Sequence, residues 1–170
     1  MKSRKNILKT AITVIAATLI IAGAIFTAVS ESSKQESSKD TLACSLTIKC
    51  ETALSNSAFS PNKAEIIPSD GIIFEADEIT FKHGDSVYDI LADTAKQNNL
   101  HFESASSSYG VYIKGIGNLY SGDCGELSGW LYKVNGEAAS VSCSGYFPNN
   151  GDSIEWLYSC DGGPDIGITY

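Results

Sequence analysis

The sequence predicts an α+β fold: one sheet with a single helix packed on a face, preceded by an N-terminal hydrophobic helix. Three observations carry this. Alternating apolar segments open and close the body, at residues 41–51 and 153–159. One segment between them repeats at helical spacing. An Asn-Gly pair follows a short apolar-aromatic run, the sequence signal of a tight hairpin.

The elements follow in order. Residues 11–29 (AITVIAATLIIAGAIFTAV) carry no charge. A helix of that length spans roughly 28 Å, about the thickness of a bilayer core. Lys2, Arg4, Lys5 and Lys9 precede it without an acid, so they stay cytoplasmic and the rest is exported. Residues 1–30 therefore form a signal peptide, cleaved after Ala28-Val29-Ser30, or an uncleaved membrane anchor. The expected location is the outer face of the cell membrane or the extracellular medium. Residues 31–40 (ESSKQESSKD) are a charged, Ser-rich spacer, and the folded domain spans 41–170.

Within the domain, Leu42, Cys44, Leu46, Ile48 and Cys50 share one face of a first strand. Residues 52–71 read as a loop ending in the turn Pro68-Ser69-Asp70-Gly71. Ile72–Phe74 and Glu78–Phe81 are two short strand candidates. Ser86 with Asp89 forms a capping box that opens the helix, and Val87, Ile90, Leu91, Thr94 and Ala95 form its buried stripe. Asn98-Asn99 ends it. Val111–Ile113, Leu119–Tyr120, Trp130–Val134 and Ser153–Ser159 are strands, with Asn135-Gly136 as a type I′ turn.

Charge removes one class of function. Beyond residue 30 the chain holds 8 basic and 20 acidic side chains. Phosphate-backbone binding needs clustered Lys and Arg, so DNA and RNA are not expected partners. Catalytic signatures are missing as well. The sequence has no Gly-x-Ser-x-Gly, no phosphate-cradling Gly-Lys-Ser/Thr and no His-Glu-x-x-His. Its five cysteines form no Cys-x-x-Cys, and only His83 and His101 could join them, so no zinc spacing exists. Asp161 and Asp165 lack the glutamate of an EF-hand loop. No resident cofactor is required, and the protein is not read as an enzyme.

Export permits disulfides, and an odd count leaves one thiol over. If the first and last strands lie parallel, Cys50 meets Cys160. Cys124 and Cys143 then staple the loops around the hairpin, and Cys44 stays free. The remaining chemistry is aromatic. Trp130 and Tyr132 share one strand face, as do Trp156 and Tyr158. Tyr146 and Phe147 fall in the loop before Asn149-Asn150-Gly151. Such side chains serve a core or form an apolar platform for a flat ligand or a partner protein. The candidate ligand-binding set is Trp130, Tyr132, Asn135, Tyr146 and Phe147.

Three segments, in order, carry a family resemblance: Gly84–Leu91 (GDSVYDIL), Ser128–Gly136 (SGWLYKVNG) and Gly151–Tyr158 (GDSIEWLY). Together they resemble the transcobalamin-like C-terminal domain of exported proteins from Gram-positive bacteria. The resemblance covers about residues 41–165. It implies a β-grasp-like mixed sheet holding one helix, and a non-enzymatic module for a soluble ligand, cobalamin or another corrinoid. In transcobalamin and intrinsic factor the related domain closes over one face of the ligand, while a large helical domain supplies the other half of the site. This chain has no such domain. The competing expectation is a surface protein-interaction or adhesion module without a small-molecule ligand.

Overall fold

A computed structural model describes residues 41–169. The expected N-terminal helix and spacer lie outside the described residues. Among those described, no helix is long and apolar enough to cross a membrane.

The architecture is α+β, with two sheets rather than one. Strand β1 (Thr41–Lys49) is followed by two short helices, α1 (Glu51–Ser55) and α2 (Pro61–Ala64). Then come β2 (Ile72–Lys82), helix α3 (Val87–Gln97), β3 (Phe102–Ser107), β4 (Gly110–Ile116) and β5 (Leu119–Tyr120). Strands β6 (Gly129–Val134), β7 (Glu137–Ala138) and β8 (Ser153–Ser159) complete it, with 3₁₀ turns at Cys143–Gly145 and Pro164–Ile166. The larger sheet has the order β2-β1-β8-β6-β7, and the smaller has the order β3-β4-β5.

Strands β1 and β8 pair in parallel, Leu46 opposite Ile154 and Ile48 opposite Trp156. The alternation in β1 is real: Cys44, Leu46 and Ile48 are buried, with half-buried residues between. The two short strands expected around residue 76 are one continuous β2. It lies at the sheet edge and exposes Glu75, Asp77 and Glu78, charges that block pairing with another chain. Those same charges interrupt its apolar pattern, which is why it reads as two pieces. The expected loop 52–71 contains α1 and α2, each about one turn long and too short to show a period.

Helix α3 matches its sequence signals. Ser86 Oγ accepts from the Asp89 N–H, and Asp89 Oδ2 accepts from the Ser86 N–H. Its buried residues are Val87, Ile90, Leu91, Thr94 and Ala95. Tyr88 leans on Phe102 of β3, ring centroids 6.0 Å apart, so the helix packs toward the small sheet. One core joins its buried stripe to the inward faces of both sheets.

At the hairpin, Asn135 and Gly136 take φ of +54° and +80°, the left-handed values a type I′ turn demands. The turn is also tied sideways. The Asn135 N–H donates to the Ser153 carbonyl at 2.8 Å. Asn135 Oδ1 accepts from the Ser153 N–H and its Nδ2 donates to Asp152, both at 2.9 Å.

Candidate functional site

The register of β6 against β8 builds the site. Asn135 bonds Ser153 through the backbone, so hydrogen-bonded pairs recur at every second residue along this antiparallel ladder. Trp130–Tyr158 and Tyr132–Trp156 are then non-hydrogen-bonded pairs, whose side chains come closest. The rings confirm it. Trp130 meets Tyr158 edge-on at 5.3 Å, and Tyr132 meets Trp156 at 5.2 Å. Tyr146 adds an edge contact to Tyr132 at 6.3 Å. Four aromatic side chains thus stack across two strands from the inward face.

Of the two expectations for these aromatics, core or platform, burial favours the core. Trp130 is 4% exposed and Tyr132 8%. Both are core residues first. Both line a cavity of about 140 Å³. Val111, Tyr112 and Ile113 of β4 form one side of it, and Trp130, Leu131 and Tyr132 of β6 the other. Ala139, Val141 and Cys143 come from the segment after β7, and Trp156 completes the lining. A second cleft of about 280 Å³ shares Tyr112, Trp130 and Leu131 and continues past Leu127 to Gly162.

The polar groups of the cavity are engaged, with one exception. Trp130 Nε1 donates to the Leu119 carbonyl at 2.9 Å. Tyr132 OH donates to the Val141 carbonyl at 2.8 Å. Tyr112 OH bonds Ser121 Oγ. Cys143 Sγ faces the Val111 carbonyl at 3.6 Å. Trp156 Nε1 is buried and has no partner. An unpaired buried donor costs about 1–3 kcal/mol, so this nitrogen needs a reason to stay.

The other candidate residues separate. Asn135 is engaged in the hairpin ties described above and does not line the cavity. Tyr146 is half-buried, and its carbonyl accepts from the Val87 N–H at the start of α3. Phe147 is 60% exposed and lies outside the lining. Sequence reasoning missed Val111, Ala139 and Val141, small or medium apolar residues with no signal of their own. It also left Trp156 out of the set, although its place opposite Tyr132 was derivable from the strand pattern.

The expected disulfides are not present: all five cysteines are free and buried. The pairing differs as well. Lys49 is the last β1 residue opposite β8, so Cys160 lies past the end of the ladder. Its thiol hydrogen-bonds that of Cys124, in the loop between β5 and β6, rather than Cys50. Cys143 faces Val111, away from Cys124. Burial pushes the Cys44 thiol up to about 11 and those of Cys50 and Cys124 up to about 12. These are neutral thiols, the opposite of an activated nucleophile.

Among the described residues, no group of His, Cys, Asp and Glu is placed to hold a metal ion. Asp165 accepts from Ser159 Oγ and the Cys160 N–H, and Asp161 accepts from the Asp165 N–H. They pin the turn after β8. His101 Nε2 bonds Tyr120 OH.

Comparison with known proteins agrees with this fold. The model of a family described as a domain of unknown function, DUF4430, matches residues 84–159. That span runs from the start of α3 to the end of β8 and includes the whole cavity lining. Haptocorrin in complex with Cbi is similar with a TM-score of 0.53 and 16% identity, over 70% of this chain. The chain spans about a quarter of haptocorrin's length, with 25% of that chain covered. A protein from Ruminococcus gnavus ATCC 29149, named as a candidate metal binding protein, aligns at TM-score 0.43 and 16% identity. There the alignment covers 69% of this chain and 96% of the other. No curated protein matches the sequence.

Proposed function

We infer that this is a non-enzymatic binding module whose ligand engages the aromatic cavity between β4 and β6, and that a corrinoid is the first ligand to test. The observation that carries the reading is the cavity's chemistry: aromatic walls, no charged lining residue, and one buried donor left without a partner. Small-molecule sites combine a mostly apolar lining with a few placed polar groups. Likeness of fold to haptocorrin, a protein solved with Cbi, supports the choice of ligand class.

Size limits how a corrinoid could bind. The two clefts, about 140 and 280 Å³, each fall below the ~300–1,000 Å³ of a drug-sized site. A flat macrocycle therefore lies across the mouth, against half-exposed Tyr112 and exposed Leu127, and sends a peripheral group inward. With only one face covered, affinity falls well short of an enclosed site unless a partner supplies the other half. The basic, apolar N-terminus supports a location outside the cell, tethered or released.

The test is a calorimetric titration of the full chain with cyanocobalamin and cobinamide, followed in parallel by corrin absorbance. Saturable binding that Tyr112→Ala weakens supports the reading. No heat and no spectral change at millimolar corrinoid removes the corrinoid. A second reading, docking of a surface protein, draws on Leu127 and Phe147, 71% and 60% exposed. It gains if the corrinoids fail and Phe147→Ser abolishes a protein contact that Tyr112→Ala leaves intact.

A further inference from the structure

Two tryptophans face the same cavity, and they differ in one respect. Trp130 Nε1 has the Leu119 carbonyl at 2.9 Å. Trp156 Nε1, on the next strand, has no partner and less than 1 Å² of accessible surface, and the residue as a whole is 2% exposed. Native folds rarely leave a buried donor unmade. None of the groups around it accepts from it: Tyr132 OH donates to Val141, Tyr112 OH bonds Ser121 and Cys143 Sγ faces Val111.

We propose that this cavity receives a neutral, ring-sized group bearing a hydrogen-bond acceptor, a carbonyl or ether oxygen, which accepts from Trp156 Nε1–H. The proposal deepens the binding reading above and rests on it. Volume sets the size: about 140 Å³ is close to the ~150 Å³ of an engineered apolar cavity that takes up benzene. Lining sets the polarity. No charged side chain reaches the cavity, so an ion would be desolvated without compensation. The single unengaged donor sets the chemistry, since only an acceptor satisfies it.

The route in is the wall formed by 139–142. This segment has no regular secondary structure between β7 and the turn at Cys143, and Val141 on it is 49% exposed. It is held to β6 by the Ala139 N–H on the Tyr132 carbonyl, at 3.3 Å, and by Tyr132 OH on the Val141 carbonyl. Because Trp156 Nε1 is sealed from solvent, an acceptor reaches it only as the lining moves, and 139–142 carries part of that lining outside the sheets. Binding and movement of 139–142 are therefore one event.

The chain has only two tryptophans, so ¹⁵N labelling of the full chain gives two indole N–H resonances. Trp156→Phe assigns them, and through-bond correlation to the backbone assigns them without a variant. The probes are cyclohexanone and its hydrocarbon counterpart methylcyclohexane. Cyclohexanone is expected to move the Trp156 indole proton downfield saturably and to shift the amides of 139–142, leaving the Trp130 resonance in place. Methylcyclohexane is expected to bind at least tenfold more weakly, without the downfield shift. The proposal is overturned if neither probe moves the Trp156 resonance, or if both move it equally. A negative corrinoid titration does not alter these shifts. Absent shifts beside a positive corrinoid titration overturn this inference alone.

Discussion

Substituting each tryptophan by phenylalanine separates a satisfied indole from an unsatisfied one. Both residues are buried, 4% and 2% exposed, and both lie in cross-strand aromatic pairs. Trp→Phe removes the same atoms at each position, so the volume lost is the same and largely cancels in the comparison. The nitrogen does not cancel. At Trp130 the change deletes a 2.9 Å hydrogen bond to the Leu119 carbonyl, at a cost of about 1 kcal/mol. At Trp156 it deletes a donor that the fold already buries unpaired, and relieves a penalty of similar size. Trp130→Phe should therefore destabilise more than Trp156→Phe by at least about 2 kcal/mol. Urea unfolding of both variants, with slopes compared to confirm an unchanged unfolded state, measures this directly. Equal losses, or a larger loss at Trp156, would refute the claim that Trp156 Nε1 is unpaired.

The five thiols should be silent in the native protein at pH 8 and should all react with a thiol reagent after denaturation. Native reactivity at pH 8 would contradict their burial. Burial raises the pKa of Cys44, Cys50 and Cys124 above the 9.0 of an exposed thiol. The stability they contribute is thus complete below pH 9 and is lost as pH rises through about 11 to 12. A thermal midpoint that holds steady to pH 11 would count against this. Asn135→Ala removes both side-chain bonds of the hairpin turn and disfavours its φ of +54°. It should cost about 1–2 kcal/mol of stability and leave ligand affinity unchanged. A loss of affinity without a loss of stability would return Asn135 to the binding set.

Legibility in the sequence followed the length of the signal. Helix α3 was readable residue for residue, because eleven positions show a period and the cap has its own signature. Strands β1, β6 and β8 alternate long enough to assign a face, and the parallel pairing of β1 with β8 agrees with that reading. Strand β3 was not readable: FESASS carries one large apolar residue, and a register shift between Glu103 and Ser104 breaks its alternation. That omission is why one sheet was expected where there are two. The site was half legible. For Trp130 and Tyr132 the sequence leaves core and platform both open, since it does not tell which side of β6 the second sheet covers. The cavity is set by β4 and the irregular 139–143 segment, and long-range placement of that kind leaves no local pattern.

Ala139 offers the most direct test of the central claim, that ligand enters the cavity between β4 and β6. It is half-buried on the cavity wall, so Ala139→Phe puts a ring into the space while leaving the aromatic stack intact. The measurement is cobinamide affinity by calorimetry, wild type against variant, with thermal midpoints matched to within a few degrees. The account predicts at least a tenfold loss of affinity, about 1.4 kcal/mol. Unchanged affinity in a folded variant would place the ligand elsewhere on the molecule and contradict it.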